Sequence, residues 1–139
     1  MSTTEKLNGY GPLAGVKVVE LCEWVAAPAC VRCLSEMGAT VIKVEPPYGD
    51  AQRTQGPGFG CEQTDMEDPT IDLNNTNKNF VSINLKNEEG MKFMKKLLAD
   101  ADIFVNNLRD KALNKMGLDY ETLHKEFPTL IWAQMRGYG

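Results

Sequence analysis

Val16-Lys-Val-Val-Glu-Leu-Cys-Glu-Trp-Val-Ala-Ala-Pro-Ala-Cys-Val-Arg-Cys-Leu-Ser-Glu-Met-Gly-Ala-Thr-Val-Ile-Lys-Val-Glu45 is the stretch whose reading decides the fold. It opens on a short β-branched run, residues 16–21, that reads as a strand. Pro28 then starts a segment whose apolar residues Cys30, Cys33, Leu34 and Met37 are spaced for one helix face, and Gly38 stands where a helix-terminating glycine belongs. Residues 40–44 read as a second strand. A strand, a crossover helix and a strand within residues 16–45 make a unit whose two strands run parallel.

The pattern recurs outward from this unit. Residues 80–83 read as a strand, and Asn87 caps a helix with Met91, Met94, Leu97, Leu98 and Ala101 at the 3.6-residue period. Ile103-Phe-Val105 is the next buried strand. Asp110 is expected to cap a short helix ending at Gly117, and Asp119 another carrying Tyr120, Leu123 and Phe127 before Pro128. Residues 130–135 are the last strand. This alternation predicts an α/β fold, a Rossmann-like, doubly wound parallel sheet with flanking helices, rather than a bundle or a sandwich. Residues 46–79 are rich in Pro, Gly, Asp and Glu and too long for an ordinary connection, so they read as a long loop forming a binding surface, an interface arm or a disordered segment. Gly137-Tyr-Gly139 follows the last strand where a site loop is expected to begin, so the chain reads as cut short.

Composition narrows the function. The 139 residues are 42% hydrophobic and 24% charged, the profile of one ordinary domain. A net charge of −4 argues against a broad grip on nucleic acid or an anionic membrane. The longest apolar run, residues 24–31, is far short of the roughly 20 residues that span a bilayer. The N-terminus Met1-Ser-Thr-Thr-Glu-Lys-Leu-Asn-Gly-Tyr has no apolar signal core, and a cytoplasmic location is expected. Cys22, Cys30, Cys33 and Cys61 read as small buried apolar residues; Cys30-Val-Arg-Cys33 matches a redox spacing, but the single His124 leaves no four-ligand zinc set.

Few residues present themselves for chemistry. The turn after residue 21 has neither a G-x-G-x-x-G fingerprint nor a Walker loop, which disfavours NAD and ATP by their usual cradles. His124 sits mid-helix and reads as a surface side chain, and Glu62, Asp65, Glu67 and Asp68 read as solvated loop charges. Glu20 and Glu45 lie at strand ends, where they face a site, cap neighbouring helices or pair with Lys43. Lys86 and Arg109 follow strands, and Arg53 and Lys78 flank the long loop. These cations either converge at the carboxyl edge of the sheet, which suits a phosphate-bearing ligand, or form a scatter of solvated side chains.

Taken in order, Pro12-Leu-Ala-Gly-Val-Lys-Val-Val-Glu-Leu21, Ala27-Pro28, Met37-Gly-Ala-Thr-Val-Ile-Lys-Val-Glu-Pro-Pro47, Gly49-Asp50 with Arg53, Asn77-Lys78 with Val81-Ser-Ile-Asn-Leu-Lys86, Ala101-Asp-Ile-Phe-Val-Asn-Asn107, Met116-Gly-Leu-Asp-Tyr120, Pro128 and Gly137-Tyr-Gly139 resemble the N-terminal part of family III CoA-transferases, the formyl-CoA and carnitine CoA-transferase type. Asp72-Leu-Asn-Asn-Thr-Asn-Lys78 and Ile131-Trp-Ala-Gln134 resemble the branch acting on 2-hydroxy acids, such as the 2-hydroxyisocaproate and phenyllactate CoA-transferases of amino-acid-fermenting anaerobes.

The resemblance implies that residues 1–139 are part of a CoA-binding, Rossmann-like large domain, about a third of a protein that forms an interlocked homodimer. It implies acyl-CoA and a carboxylic acid as substrates, with no tightly bound cofactor. By position, Val25 and Ala26, Ile83, Asn84, Leu85 and Lys86, Asn107, Leu108 and Arg109, and Lys115 match places where the family contacts CoA. The chain departs from some members at Val25, where they carry Gln, and at Pro46, where they carry Arg. The family's nucleophile is an aspartate that forms a mixed anhydride and then an enzyme-CoA thioester, and it matches no position here. Two other readings stay open: an acyl-CoA racemase of the same superfamily, working by proton abstraction, and a CoA-binding module without turnover.

Overall fold

The computed structural model describes residues 10–61, 64 and 67–138. Five strands, β1 (Lys17–Leu21), β2 (Thr40–Glu45), β3 (Asn79–Ser82), β4 (Ile103–Asn106) and β5 (Ile131–Gln134), form one all-parallel sheet in the order β3-β2-β1-β4-β5. The helices are α1 (Ala26–Glu36), α2 (Pro69–Asn75), α3 (Glu88–Ala99), α4 (Asp110–Met116) and α5 (Tyr120–Glu126). The doubly wound α/β sheet expected from the strand-helix alternation is the one observed.

Side chains alternate across the central strands, so the two faces build separate cores. Val18, Cys22, Val41 and Val105 pack with Ala27 and Val31 of α1 on one face. Val19, Leu21, Val44 and Phe104 pack with Met94 and Leu98 of α3, Leu113 of α4 and Leu123 of α5 on the other. Asn87 caps α3 by accepting from the Gly90 N–H, as its side chain predicts. Asp119 caps α5 in the same way, accepting from the Thr122 N–H at 3.0 Å.

Four local expectations change. The buried stripe of α1 is Ala27, Pro28, Val31 and Ser35, while Cys30 and Cys33 are exposed, because it is Ala27 and Val31 that pack against Val18, Val41 and Val105 of the sheet. Of the cysteines only Cys22 is fully buried, and all four are free. Asp110 is the first residue of α4 rather than its cap; Arg109 occupies the capping position.

Residues 46–79 are not one long loop. They contain two 3-10 turns, Ala51–Thr54 and Gly56–Phe59, and the helix α2, which Asp68 caps by accepting from the Ile71 N–H. This segment folds back on α1: Arg32 donates to the Leu73 carbonyl at 2.6 Å, Ser35 to the Thr76 carbonyl at 3.0 Å, and Asn77 to the Ser35 carbonyl at 2.9 Å. Helix α2 buries only Ile71 among its apolar side chains, which leaves no periodic stripe to read in the sequence. Glu62 and Asp65 lie outside the described residues, as do Gly139 and residues 1–9.

Gly38 is required by its surroundings. Its φ is +101°, and a Cβ there would sit 2.4 Å from the Tyr10 carbonyl oxygen, so only glycine lets the N-terminal segment cross the end of α1.

The capping carboxylate of Asp119 is held below its ordinary value of 3.8 by the Thr122 N–H and hydroxyl. Its contribution is therefore present above pH 3.8 and disappears as pH falls through the lower folded-state value. Asp119→Ala is expected to cost about 1 kcal/mol at neutral pH. Urea unfolding should show that penalty shrinking toward zero in strong acid.

Candidate functional site at the carboxyl edge of the sheet

The chain moves outward from β1 to β2 and β3, then returns to β4 and continues to β5. The order reverses between β1 and β4, and in open parallel sheets the crevice at that switch point is where ligands bind. The loops that follow the two strands are tied together across it by one amide. Asn107 Oδ1 accepts from the Glu23 N–H at 3.0 Å, and Asn107 Nδ2 donates to the Glu23 carbonyl at 2.7 Å.

A buried ionic cluster holds the other side of the β1 loop. Lys43 Nζ lies 3.2 Å from Glu20 Oε1 and 2.9 Å from Asp50 Oδ2, and Lys78 Nζ lies 2.8 Å from Glu20 Oε2. All four side chains have 0% exposure, so two carboxylates and two ammonium groups neutralise each other away from water. Lys43 also donates to the Cys22 carbonyl at 2.7 Å, and Lys78 to the Pro28 carbonyl at 2.8 Å. Burial opposes the charge on Lys43, but Glu20 and Asp50 together outweigh it and hold its pKa above the ordinary value. Of the readings open for Glu20, pairing with Lys43 is the one found. Glu45 instead forms a bidentate pair with Arg53, both contacts at 2.9 Å, and the guanidinium lies 5.5 Å from the Phe80 ring centre.

Two adjoining clefts open on this edge and share Leu108. The first, about 310 Å³, is walled by Pro46, Pro47 and Tyr48 after β2, by Ile83, Asn84, Leu85 and Lys86 after β3, and by Leu21, Cys22 and Glu23 of the β1 end. The second, about 610 Å³, is lined by Ala26, Asn107, Leu108, Arg109, Arg136 and Tyr138 among others. The structure thus brings together eight of the candidate residues: Ala26, Ile83, Asn84, Leu85, Lys86, Asn107, Leu108 and Arg109. Val25 and Lys115 line neither cleft; Val25 is half exposed at the start of α1, and Lys115 is exposed in the last turn of α4.

The four cations do not converge as expected. Lys78 is buried in the ionic cluster and Arg53 is committed to Glu45, because each has a carboxylate partner that sequence spacing does not reveal. Lys86 and Arg109 stay exposed, and neither makes an ion pair among the described residues. His124 is exposed and stacks on Tyr120, with ring centres 5.2 Å apart. Glu67 lies in the described part of the acidic run and is exposed, whereas Asp68 is the α2 cap.

Sequence reasoning missed Glu23, Tyr48 and Met116 in the cleft wall and the carboxylate of Asp50, whose Oδ1 accepts from the Trp24 N–H. Glu23 and Tyr48 follow from their place just after β1 and β2, a signal that the switch-point rule supplies once the strand order is known, whereas Met116 ends α4 and carries no such signal. Burial, with Asp50 adding to it, pushes the Glu23 carboxyl above its usual value. Burial also pushes the Cys22 thiol far up, so it stays protonated and is no nucleophile at neutral pH. Gly90 supports the cleft from behind: a Cβ there would lie 2.1 Å from the Asn84 carbonyl oxygen, so its absence lets the 83–86 segment rest on α3. Among the described residues no three His, Cys, Asp or Glu side chains gather to hold a metal ion.

A family model for CoA-transferase family III matches residues 13–139. The chain belongs to CoA-transferase family III. It is 49% identical over 127 residues to (R)-2-hydroxy-4-methylpentanoate CoA-transferase of Clostridioides difficile, covering 91% of this chain and 32% of that one. It is 47% identical over 132 residues to cinnamoyl-CoA:phenyllactate CoA-transferase of Clostridium sporogenes, covering 95% and 32%. Among solved structures, a CAIB/BAIF family protein from Brucella suis superposes with a TM-score of 0.85 at 38% identity, covering 94% of this chain and 34% of that one. This family III chain therefore spans about a third of the length of the curated relatives it matches.

Removing Lys43 leaves Asp50 buried without its counter-charge. Lys43→Ala is expected to cost roughly 3–5 kcal/mol of stability. A loss below about 1 kcal/mol in urea unfolding would show that the cluster is hydrated rather than dry.

Proposed function

We propose that this chain supplies the CoA-binding face of a CoA-transferase that moves CoA from an acyl-CoA thioester to a carboxylic acid. The observation that carries this reading is the pair of adjoining clefts at the switch point, with Lys86 at one, Arg109 at the other and Leu108 between them. CoA is a long ligand with an apolar, stackable base, an anionic phosphate region and a slender polar arm. An apolar-walled cleft with a lysine at its wall, next to a second groove carrying arginine, matches that division of chemistry. CoA comes and goes as a substrate in this reading; no tightly bound cofactor is invoked.

A 2-hydroxy acid is the favoured acceptor, supported by the two relatives at 49% and 47% identity, whose names specify 2-hydroxy-4-methylpentanoate and phenyllactate. Transfer through an aspartyl intermediate is part of the proposal, and the aspartates nearest this edge do not serve it. Asp50 is buried with Lys43, and Asp110 pairs with Arg136. The nucleophile is assigned to a part of the protein other than residues 1–139, as is the pocket for the acyl group. A cytoplasmic homodimer is the setting we propose, and among the described residues no helix is long and apolar enough to cross a membrane.

Lys86→Ala and Arg109→Ala each remove a charge-assisted contact worth roughly 1.5–3 kcal/mol, so each should weaken CoA binding about ten- to a hundredfold in calorimetric titration. Both variants should unfold at the urea midpoint of the unsubstituted protein, since neither side chain is buried. Unchanged affinity in both would return these cations to the role of solvated surface charges. CoA binding without CoA transfer by the full protein would instead favour a binding module.

A further inference from the structure

The turn that leads from β1 into α1 contains an unusual backbone. Trp24 has φ +69°, in the left-handed region, where a bulky side chain is rarely found. The other side-chain-bearing residue of positive φ among the described residues is Asn77, a type that tolerates this conformation. Conformations of this kind persist only where surrounding contacts impose them, and they gather at ligand sites.

Here the contact is Asp50. Its Oδ1 accepts from the Trp24 N–H at 3.1 Å and from the Gln52 N–H at 2.9 Å, while its Oδ2 lies 2.9 Å from Lys43 Nζ. A carboxylate serving only to neutralise Lys43 would need none of the backbone contacts, and Lys43 already meets Glu20 and the Cys22 carbonyl. Asp50 instead divides its oxygens, one toward the buried cation and one toward the turn. The helix that follows has no cap of its own, since Val25 offers no side-chain acceptor. The direction in which α1 enters, and with it the place of Ala26 in the cleft wall, is therefore left to the conformation at Trp24.

We infer that Asp50 is a positioning residue for CoA binding: anchored on Lys43, it holds Trp24 in the left-handed conformation that sets Ala26 at the switch-point cleft. The inference rests on the CoA-binding reading proposed above. It makes the buried ionic cluster part of the binding machinery, acting through one backbone N–H.

The test compares CoA titrations in the full chain across a double-mutant cycle of Asp50→Ala and Trp24→Gly, with urea midpoints measured alongside. Glycine adopts positive φ without penalty and needs no clamp. Asp50→Ala is expected to weaken CoA binding about tenfold when residue 24 is Trp and no more than about threefold when it is Gly, the difference reflecting the left-handed penalty. Asp50→Asn keeps the Oδ1 acceptor and should stay within about threefold in affinity even as stability falls. Should Asp50→Ala fail to fold, Trp24→Pro decides the matter with the ionic cluster intact: proline has no N–H and a φ fixed near −65°, and about a tenfold loss is expected where Trp24→Gly retains binding. An equal loss on Asp50→Ala in both backgrounds, or full affinity in Trp24→Pro, overturns the positioning role while the CoA reading stands. Absence of CoA binding by the unsubstituted protein overturns both.

Discussion

The contact between Lys43 and its two carboxylates is the constraint from which the rest of this site follows. A lysine with its side chain wholly buried on an interior parallel strand has no access to water, and an unpaired ammonium there would be prohibitively costly. Glu20 on β1 and Asp50 beyond β2 supply the compensating charge, and Lys78 balances the remaining half of Glu20. Such a cluster contributes little net stability compared with an apolar core of the same volume, but removing any one member leaves a buried charge without its partner. It joins β1, β2, the segment after β2, the residue before β3 and, through the Pro28 carbonyl, the first turn of α1. Of these, the ends of β1 and β2 and the segment after β2 border the cleft at the carboxyl edge.

From that anchor the site is built by backbone contacts more than by side chains. Asn107 fastens the β4 loop to Glu23, Asp50 fastens Trp24, and Lys43 fastens Cys22, so three consecutive residues of one turn are each held by a different side chain. A turn fixed on three sides presents the same face to any ligand, which lowers the ordering cost of binding. The clefts beside it keep an apolar wall because their polar neighbours are already satisfied, and this leaves Lys86 and Arg109 as the cations available to a phosphate-bearing ligand. The family relationship fits this division: residues 13–139 match the family III model, and the chain covers about a third of the length of its curated relatives.

The pattern of alternating strands and helices was legible because each element carries its own short-range signal. Residues 40–44 and 103–105 are β-branched or aromatic runs, Met94 and Leu98 recur at the helical period, and Asn87 and Asp119 announce their helices as caps. Helix α2 has no legible period because it buries a single apolar side chain, although Asp68-Pro69 carries a usable cap signal. The buried face of α1 departs from the apolar spacing for a related reason. Cys30 and Cys33 are apolar enough to pass for core residues, yet Ala27, Val31 and Ser35 form the stripe that packing selects.

The sequence by itself determined the parallel sheet, the separate faces of its core and the set of loops that gather at its carboxyl edge, since period, caps and the right-handed crossover are local properties of the chain. Only the tertiary structure decided which charges are spent inside and which remain outside. Lys78 and Lys86 look alike in sequence, one before β3 and one after it, but Lys78 is buried against Glu20 and the Pro28 carbonyl of α1 while Lys86 faces a cleft. Partner choice across 23 residues for Glu20 and Lys43, or 26 for Trp24 and Asp50, depends on strand order and register. Those are settled by the burial of whole faces at once, and no local stretch of the chain encodes them.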